Sequence, residues 1–445
     1  MIKKSISRQG LRRAIKGSLF VYALGAMLAF ASQILLARLM GVTEYGVYYY
    51  ALSWFLIIAM FSQFGLDQTL LRFMPVYIQD GDWSRAKGIF NASNRLVFGN
   101  GMLMGVLMLL VVLALGDRLE ASQRNAFLLA AFCLPLRGLI YVRQATLRSF
   151  MFTIRSLLPD AVIVPVVLMI LAVSLSLVNW VPTAPVIMAA TLIALIISFL
   201  VGAYWQSRLV PKQLVTAKQS YEVSAWLRVA FMMLIINGTY MLLNNVDLLI
   251  LGLYRSPDEV GIYGVSARIA SIVTFILIAT YPVFAPLITK QHAAGGSEEL
   301  QQEITHVMRP IALIAIVLAV FLMVAGGAVL GLFGEEFDRG HTALCILLAG
   351  QLVNALCGPV ALLLAYGGHE NVVVKVLIIA VIMDIGLNFL AIQNFGMEGA
   401  ATATAVSTVF WNLMLYVLTR RHLGIDSSGW FTARAVQPRK GIVKS

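Results

Sequence analysis

Long apolar runs separated by short polar breaks follow one another along the whole chain. Each run holds about 20 residues, the length at which an α-helix crosses the ~30 Å hydrocarbon core of a bilayer. The pattern therefore predicts an all-α integral membrane protein with twelve transmembrane helices. Their predicted positions are 17–37, 46–66, 95–115, 126–145, 157–178, 184–205, 229–252, 261–284, 309–331, 342–366, 374–393 and 398–419.

The basic residues give these predicted helices an orientation. Most of the 33 Lys and Arg residues lie in the termini and in the connections on the side of the N-terminus. The positive-inside rule then predicts that both termini are cytoplasmic, which agrees with an even number of crossings. Attraction to anionic lipid headgroups accounts for the net charge of +12, so we expect membrane lipids and no nucleic acid as partners.

Composition excludes several other classes of protein. Charged residues make up 12% of the chain, whereas soluble domains carry roughly a quarter. Three cysteines inside apolar runs and five scattered histidines predict neither a disulfide framework nor a metal site. The sequence has no GxxxxGK loop, so we expect no ATP hydrolysis, and we expect no cofactor.

The two ends of the chain are basic. Residues 1–16 lack the cleavage site of a removable signal peptide and are predicted as a cytoplasmic segment. This segment is either an interfacial helix or a disordered tail. Residues 420–445 are predicted as a cytoplasmic tail. The predicted outer connections reach about ten residues at most, which leaves no room for a separate catalytic domain.

The two halves of the chain resemble each other. Glu44-Tyr-Gly-Val-Tyr48 aligns with Glu259-Val-Gly-Ile-Tyr263 at a shift of 215 residues, and the helices that close the halves also match. The pattern predicts an N-lobe at 17–220 and a C-lobe at 221–419, each of six helices in the same orientation, with a site at the interface between them. Both glutamates are expected to have a structural role, near the N-terminus of the helix that follows each outer turn.

Three stretches carry a more specific resemblance, namely "QILLARLMGVTEYGVYYYALSWF", "FSQFGLDQTLLRFMP" and "NNVDLLILGLY". With them the sequence resembles the oligosaccharide-flippase (polysaccharide-synthesis, Wzx-type) branch of the multidrug/oligosaccharidyl-lipid/polysaccharide exporter superfamily. The resemblance implies two six-helix lobes around a central V-shaped cavity. It also implies alternating access that moves polyprenyl-pyrophosphate-linked oligosaccharides from the inner to the outer leaflet of the bacterial inner membrane. The product would be O-antigen, exopolysaccharide or capsule, with a polymerase or co-polymerase as a partner.

Two arginines lie inside predicted helices and are the candidates for binding the charged end of a substrate. An arginine in a membrane segment is costly unless it faces the protein interior, and its planar fork suits a phosphate. Arg268 matches the position of an arginine in lipid II flippases, and its alternative role is an ion pair with Asp247. Arg137 follows Pro135, and its alternative is a hydrogen bond to a carbonyl that the proline frees. Arg143 and Arg148 are interpreted as anchors near the cytoplasmic edge.

Two carboxylates are the candidates for ion coupling. Asp247 and Asp384 lie within predicted helices seven and eleven, where an acidic residue is a candidate proton or sodium site. An ion pair with an arginine or a hydrogen bond between helices remains the alternative for both.

Polar residues on predicted helix seven are candidates for contacting sugar hydroxyls. Asn237, Tyr240 and Asn244 share one face because they are three and four residues apart. The same face could instead join this helix to another one.

Three other functions stay open at this point. A related drug exporter would have the same helix count, although the first helix lacks an acidic residue. A membrane polymerase or ligase would need a large outer loop, and a channel would need a selectivity filter. The sequence therefore favours a transporter over an enzyme.

Overall fold

The computed structural model describes residues 8–278 and 297–428. Over these residues the chain is helical and contains no strand, so the predicted all-α class is confirmed. The predicted segments 1–16, 261–284 and 420–445 each lie partly outside the described residues. The chain divides into two compact units, Met1–Gly238 and Thr239–Ser445.

The first unit contains helices α1 to α8 and most of α9. Their bounds are α1 Arg8–Gln63, α2 Leu66–Asp80, α3 Trp83–Leu115, α4 Ala121–Ser149, α5 Thr153–Leu158, α6 Val164–Leu177, α7 Ala184–Leu209, α8 Lys212–Thr216 and α9 Val223–Leu243. A π-helical turn, Pro159–Ile163, joins α5 to α6.

The second unit contains the rest of the helices. Their bounds are α10 Val246–Tyr254, α11 Pro257–Ile278, α12 Ser297–Gly331, α13 His341–Cys357, α14 Val360–Leu364 and α15 Glu370–Leu423. A 3₁₀ helix, Glu335–Gly340, precedes α13, and a π-helical turn, Ala365–His369, precedes α15.

The two longest helices each contain two predicted crossings. Non-helical backbone at Gly41 (φ 75°) breaks α1, and non-helical backbone at Gly396 (φ 57°) breaks α15. Only glycine adopts such positive φ values without strain, so one residue is enough to turn the chain. Where α5 and α6, α9 and α10, and α13 and α14 are each taken as one interrupted crossing, the described helices supply all twelve predicted segments.

The helices present an apolar exterior. Leu177 and Val324 are 79% and 82% exposed, and many other large apolar side chains are exposed on α3, α7 and α12. Eight helical stretches of the described chain are long and apolar enough to cross a membrane. Exposed apolar surface on this scale is unfavourable in water and favourable against lipid tails. The protein is therefore a multi-pass membrane protein.

The connection between the second and third crossings packs against the start of α9. Trp226 is buried, and its indole N–H donates to the hydroxyl of Tyr77 on α2 (3.1 Å). Tyr77 in turn donates to Glu222 (3.1 Å), and burial raises the pKa of the Tyr77 hydroxyl. Apolar residues of α2, α3 and α4 surround this contact, so the connection is a packed part of the first unit.

The duplicated glutamates make equivalent contacts. Glu44 Oε2 accepts hydrogen bonds from the backbone N–H of Ala184 (2.6 Å) and from the hydroxyl of Ser122 (2.8 Å). Glu259 Oε2 accepts one from the backbone N–H of Met397 (3.2 Å). Each carboxylate therefore caps the helix that closes its own half, where the helix dipole favours it. The expected structural role is found, but on the closing helix instead of the next one.

Candidate functional site

Asp247 lies in the first turn of α10, where the chain restarts after the break that follows α9. Its side chain is buried, at 4% exposure. Oδ2 accepts hydrogen bonds from the hydroxyls of Tyr263 and Thr404, the latter at 2.9 Å, and Oδ1 accepts one from the N–H of Leu248 (2.8 Å). Three donors from α10, α11 and α15 thus hold this carboxylate in place.

Asp384 on α15 is buried beside two polar side chains of the same helix. It is 1% exposed, and it interacts with the hydroxyl of Ser407 and the amide of Asn388, although neither contact has the geometry of an ordinary hydrogen bond. An ionised carboxylate in this environment costs several kcal/mol unless a proton or a cation neutralises it.

The two carboxylates lie close enough for their negative charges to repel each other. Carboxylate, amide and hydroxyl oxygens are the ligands that small hard cations prefer. The described residues contain no group of three or more His, Cys, Asp or Glu side chains that could hold a metal ion.

The first unit contains a neutral version of the same arrangement. Tyr48 and Thr191 join their hydroxyls at 3.3 Å, as Tyr263 and Thr404 do at 3.4 Å. Shifting Asp247 by 215 residues reaches Ser32, whose hydroxyl donates to the carbonyl of Ala29 (2.8 Å). The Tyr–Thr contact is thus duplicated, whereas the carboxylate at this position belongs to the second unit.

Arg268 lies on α11 and is half-buried. Its guanidinium forms no hydrogen bond and no ion pair with any described residue, so the alternative pair with Asp247 is not formed. Nearby on the same helix, Thr274 donates to Gln351 of α13, and Asn354 donates to the oxygens of both (3.4 and 3.3 Å). The counterpart of Arg268 in the first unit is Ser53.

Arg137 on α4 is paired. Nη1 forms an ion pair with Asp160, and Nη2 donates to the hydroxyl of Tyr141 (2.6 Å). Its partner is therefore a carboxylate, and not the carbonyl that Pro135 was expected to free. Sequence reasoning missed Asp160 because it lies at the polar edge of predicted helix five, next to Pro159. The π-helical turn places it opposite Arg137.

The three polar residues of predicted helix seven are exposed. Asn237 and Tyr240 lie on α9, and Asn244 lies in the break after it, with its amide donating to the carbonyl of Tyr240 (2.6 Å). Their role in contacting a substrate stays a prediction.

Residues 17–292 match the family model described as "Polysaccharide biosynthesis protein". The chain belongs to this family. Residues 229–390 also match the MatE family model, which covers much of the second half. The resemblance to the oligosaccharide-flippase branch of the exporter superfamily is thereby confirmed.

Two relatives of this family member come from the archaeon Haloferax volcanii. "Probable low-salt glycan biosynthesis flippase Agl15" is 23% identical over 163 residues, which are 36% of this chain and 34% of the relative. "Probable flippase AglR" is 24% identical over 172 residues, or 38% of this chain and 36% of the relative. The chain therefore matches about a third of the length of each relative.

Solved transporters share the fold over nearly the whole chain. An inward-facing multidrug-resistance MATE transporter of the MOP superfamily aligns with a TM-score of 0.73 at 14% identity, covering 92% of this chain and 98% of the other. An outward-facing MATE transporter aligns with a TM-score of 0.64 at 13% identity, covering 92% of this chain and 95% of the other. A MOP superfamily transporter from Pyrococcus furiosus, whose binding pocket is described as having reverse polarity, aligns with a TM-score of 0.60 at 15% identity. The alignment covers 92% of this chain and 95% of the other. Twelve helices in two lobes are therefore confirmed as the fold.

Proposed function

We propose that this protein is a flippase that moves polyprenyl-pyrophosphate-linked oligosaccharide units from the inner to the outer leaflet for surface polysaccharide synthesis. The family match over 17–292 and the flippase names of the two relatives support this proposal. The proposed location is the bacterial inner membrane, with both termini in the cytoplasm. A polysaccharide polymerase or co-polymerase is the proposed protein partner.

The observation that carries the proposal is the guanidinium of Arg268. Holding an arginine in a membrane segment costs about 2.5–3.5 kcal/mol on insertion scales. A structural arginine recovers this cost from a carboxylate, as Arg137 does from Asp160. Arg268 makes no such pair with the described residues, so its counter-charge is expected from the substrate. A pyrophosphate offers two anionic groups to the planar fork.

Asp247 and Asp384 are proposed to couple transport to an ion. Asp384 is buried, its contacts with Ser407 and Asn388 do not have ordinary hydrogen-bond geometry, and its negative charge is repelled by that of Asp247. A bound cation or proton would remove the cost of the buried negative charge. Its release would restore that cost, which gives an energetic link between ion binding and conformation.

The second candidate is an ion-coupled drug exporter, which the MatE match over 229–390 favours. The two functions require substrates of opposite charge near Arg268. A cationic drug would be repelled by an arginine without a counter-ion, whereas a pyrophosphate would be attracted.

The test is deletion of the gene followed by analysis of polyprenyl-linked sugars in each leaflet. A flippase predicts that repeat units accumulate in the inner leaflet. A polymerase predicts single units in the outer leaflet, and a drug exporter predicts altered dye efflux with normal glycans. Either of these last two results would reject the proposal.

Variants then connect the function to the site. Arg268→Ala, at matched protein level, should reproduce the deletion, and Arg268→Lys should restore part of the export because it keeps the charge without the fork. Ser53→Ala changes the counterpart position in the first unit and should export normally. Normal export by Arg268→Ala would remove this residue from the mechanism.

A further inference from the structure

A cavity of about 240 Å³ lies in the first unit, where α3 begins and α7 ends. Among the described residues that line it are two cations, Lys87 and Arg143, and no carboxylate. It lies at the end of the unit that carries the predicted basic connections 67–95 and 206–228. All the residues that line it belong to the first unit, whereas Arg268, Asp247 and Asp384 belong to the second.

Arg143 is fixed in this cavity and is not extended toward solvent as an anchor would be. Its Nε donates to the side-chain oxygen of Gln206 (3.1 Å), and Nη1 donates to the carbonyl of Phe199 (2.6 Å). The guanidinium carbon lies 3.9 Å from the centre of the Phe199 ring. Gly202 allows this approach, because a Cβ there would lie 3.2 Å from Cδ of the arginine. Nη2 makes no hydrogen bond to a described residue.

Lys87 is held by backbone carbonyls. Its ammonium donates to Val215 (2.5 Å) and Ala217 (2.8 Å), at the C-terminal end of α8. An ammonium has three N–H donors, so one remains for a ligand. Both cations are therefore positioned by neutral groups, and both keep donors that are not used.

Two positioned cations without a carboxylate favour an anionic ligand. Like charges that share a cavity repel each other, and partial burial of a cation is unfavourable until a counter-charge binds. A guanidinium edge together with an ammonium matches the several oxygens of a phosphate group. The volume lies below the roughly 300–1,000 Å³ of pockets for drug-sized ligands, so a headgroup fits better than a glycan.

The apolar part of the lining indicates where the phosphate comes from. Phe90, Val210 and Leu214 line the same cavity as the two cations. Apolar and cationic surfaces side by side suit a lipid phosphate, whose ester carbons continue toward the acyl chains. Basic pockets between transmembrane helices are known sites for anionic headgroups.

We infer that this cavity binds the phosphate group of a membrane lipid through Arg143 and Lys87. The inference does not rest on the proposed transport function, because the site is built entirely within the first unit and binding can be measured without transport.

Binding is tested with the purified full-length protein in detergent, by native mass spectrometry and by thermal shift. The probes are phosphatidylglycerol, undecaprenyl phosphate and inorganic phosphate, with neutral phosphatidylcholine for background. A lipid that binds while inorganic phosphate does not identifies a headgroup as the ligand. Inorganic phosphate that displaces the lipid shows that the phosphate itself is recognised, and both results support the inference.

A matched pair of variants at the rim separates charge from folding. Ser207 lines the cavity and is exposed, and among the described residues its hydroxyl donates to the carbonyl of Tyr204 (2.8 Å). Ser207→Glu adds a competing carboxylate and should weaken lipid binding roughly tenfold or more. Ser207→Gln has the same size without the charge and should bind as the wild type does.

A second pair examines the arginine itself. Arg143→Gln should lose binding to a similar extent, whereas Arg208→Gln, which removes an exposed cation from the end of α7, should not. The inference is wrong if no phosphate-bearing probe binds more tightly than phosphatidylcholine. It is also wrong if Ser207→Glu and Ser207→Gln bind equally well, or if Arg208→Gln weakens binding as much as Arg143→Gln.

Discussion

Replacing Asp384 with asparagine should remove the response of the protein to the ion that we propose it couples to transport. The asparagine side chain keeps nearly the same shape and carries no charge, so the buried site no longer needs a proton or a cation. In the wild type a cation present at 100 times its Kd stabilises the folded state by about 2.7 kcal/mol. For a unit of about 200 residues, 1 kcal/mol shifts the melting temperature by roughly 2–4 °C, so the expected shift is about 5–10 °C.

The assay is thermal unfolding in detergent, with sodium titrated against potassium at constant ionic strength and the series repeated at several pH values. The wild type should respond to sodium if sodium is the ion, or to pH alone if the ion is a proton. Asp384→Asn should show neither response and should melt at or above the temperature of the ion-free wild type. The reasoning is refuted if Asp384→Asn keeps the full response.

The internal repeat supplies the control for this experiment. Thr404→Ala removes one hydrogen bond to Asp247 and should reduce the ion response. Thr191→Ala removes the equivalent contact to Tyr48, in the half whose counterpart of Asp247 is the neutral Ser32. It should therefore leave the response unchanged. Equal effects of the two threonine variants would show that the response reports general stability.

Three further predictions concern stability and are measured by the same unfolding assay. Arg137→Met should cost about 1–3 kcal/mol because it leaves the half-buried carboxylate of Asp160 (23% exposed) unpaired, and adding Asp160→Leu should recover most of the loss. Glu44→Gln should cost about 1 kcal/mol through the weaker cap on α7. Trp226→Ala should cost about 3–5 kcal/mol, since it empties a buried site and removes the donor to Tyr77, whereas Tyr77→Phe should cost about 1 kcal/mol.

The fold was predictable because hydrophobic length decides it. Runs of about 20 apolar residues fix the helices, and the Glu-x-Gly pairs reveal the repeat. The sequence predicts two helices around Gly41 and two around Gly396, with a polar connection between the members of each pair. In the structure a single glycine with positive φ separates the two helices of each pair, and a sequence pattern does not show that so short a break is enough. The two π-helical turns were not predictable either, because such turns have no distinctive pattern of apolar residues.

For the candidate sites, the sequence predicts which charged residues lie within membrane helices and how deep in the membrane they lie, but not which residues they contact. A sequence shows that Arg137, Arg143 and Arg268 lie in helices, but the direction of each side chain depends on its neighbours. In the structure one arginine pairs with Asp160, one packs on Phe199 and one has no partner among the described residues. The two partners come from other helices, 23 and 56 residues further along the chain, so the local sequence around each arginine does not reveal them.

The comparison of the two halves indicates why the buried charges are present at all. Tyr48 and Thr191 form their contact in a half that has Ser32 at the position of Asp247, so the fold forms this contact without a carboxylate. Ser53, the counterpart of Arg268 in the first unit, is likewise a small neutral residue. Because the duplicated fold tolerates small neutral residues at both positions, folding does not explain the cost of burying these charges. We therefore propose that these charges serve a function of the second unit, with Arg268 for the anion of a substrate and Asp247 for an ion.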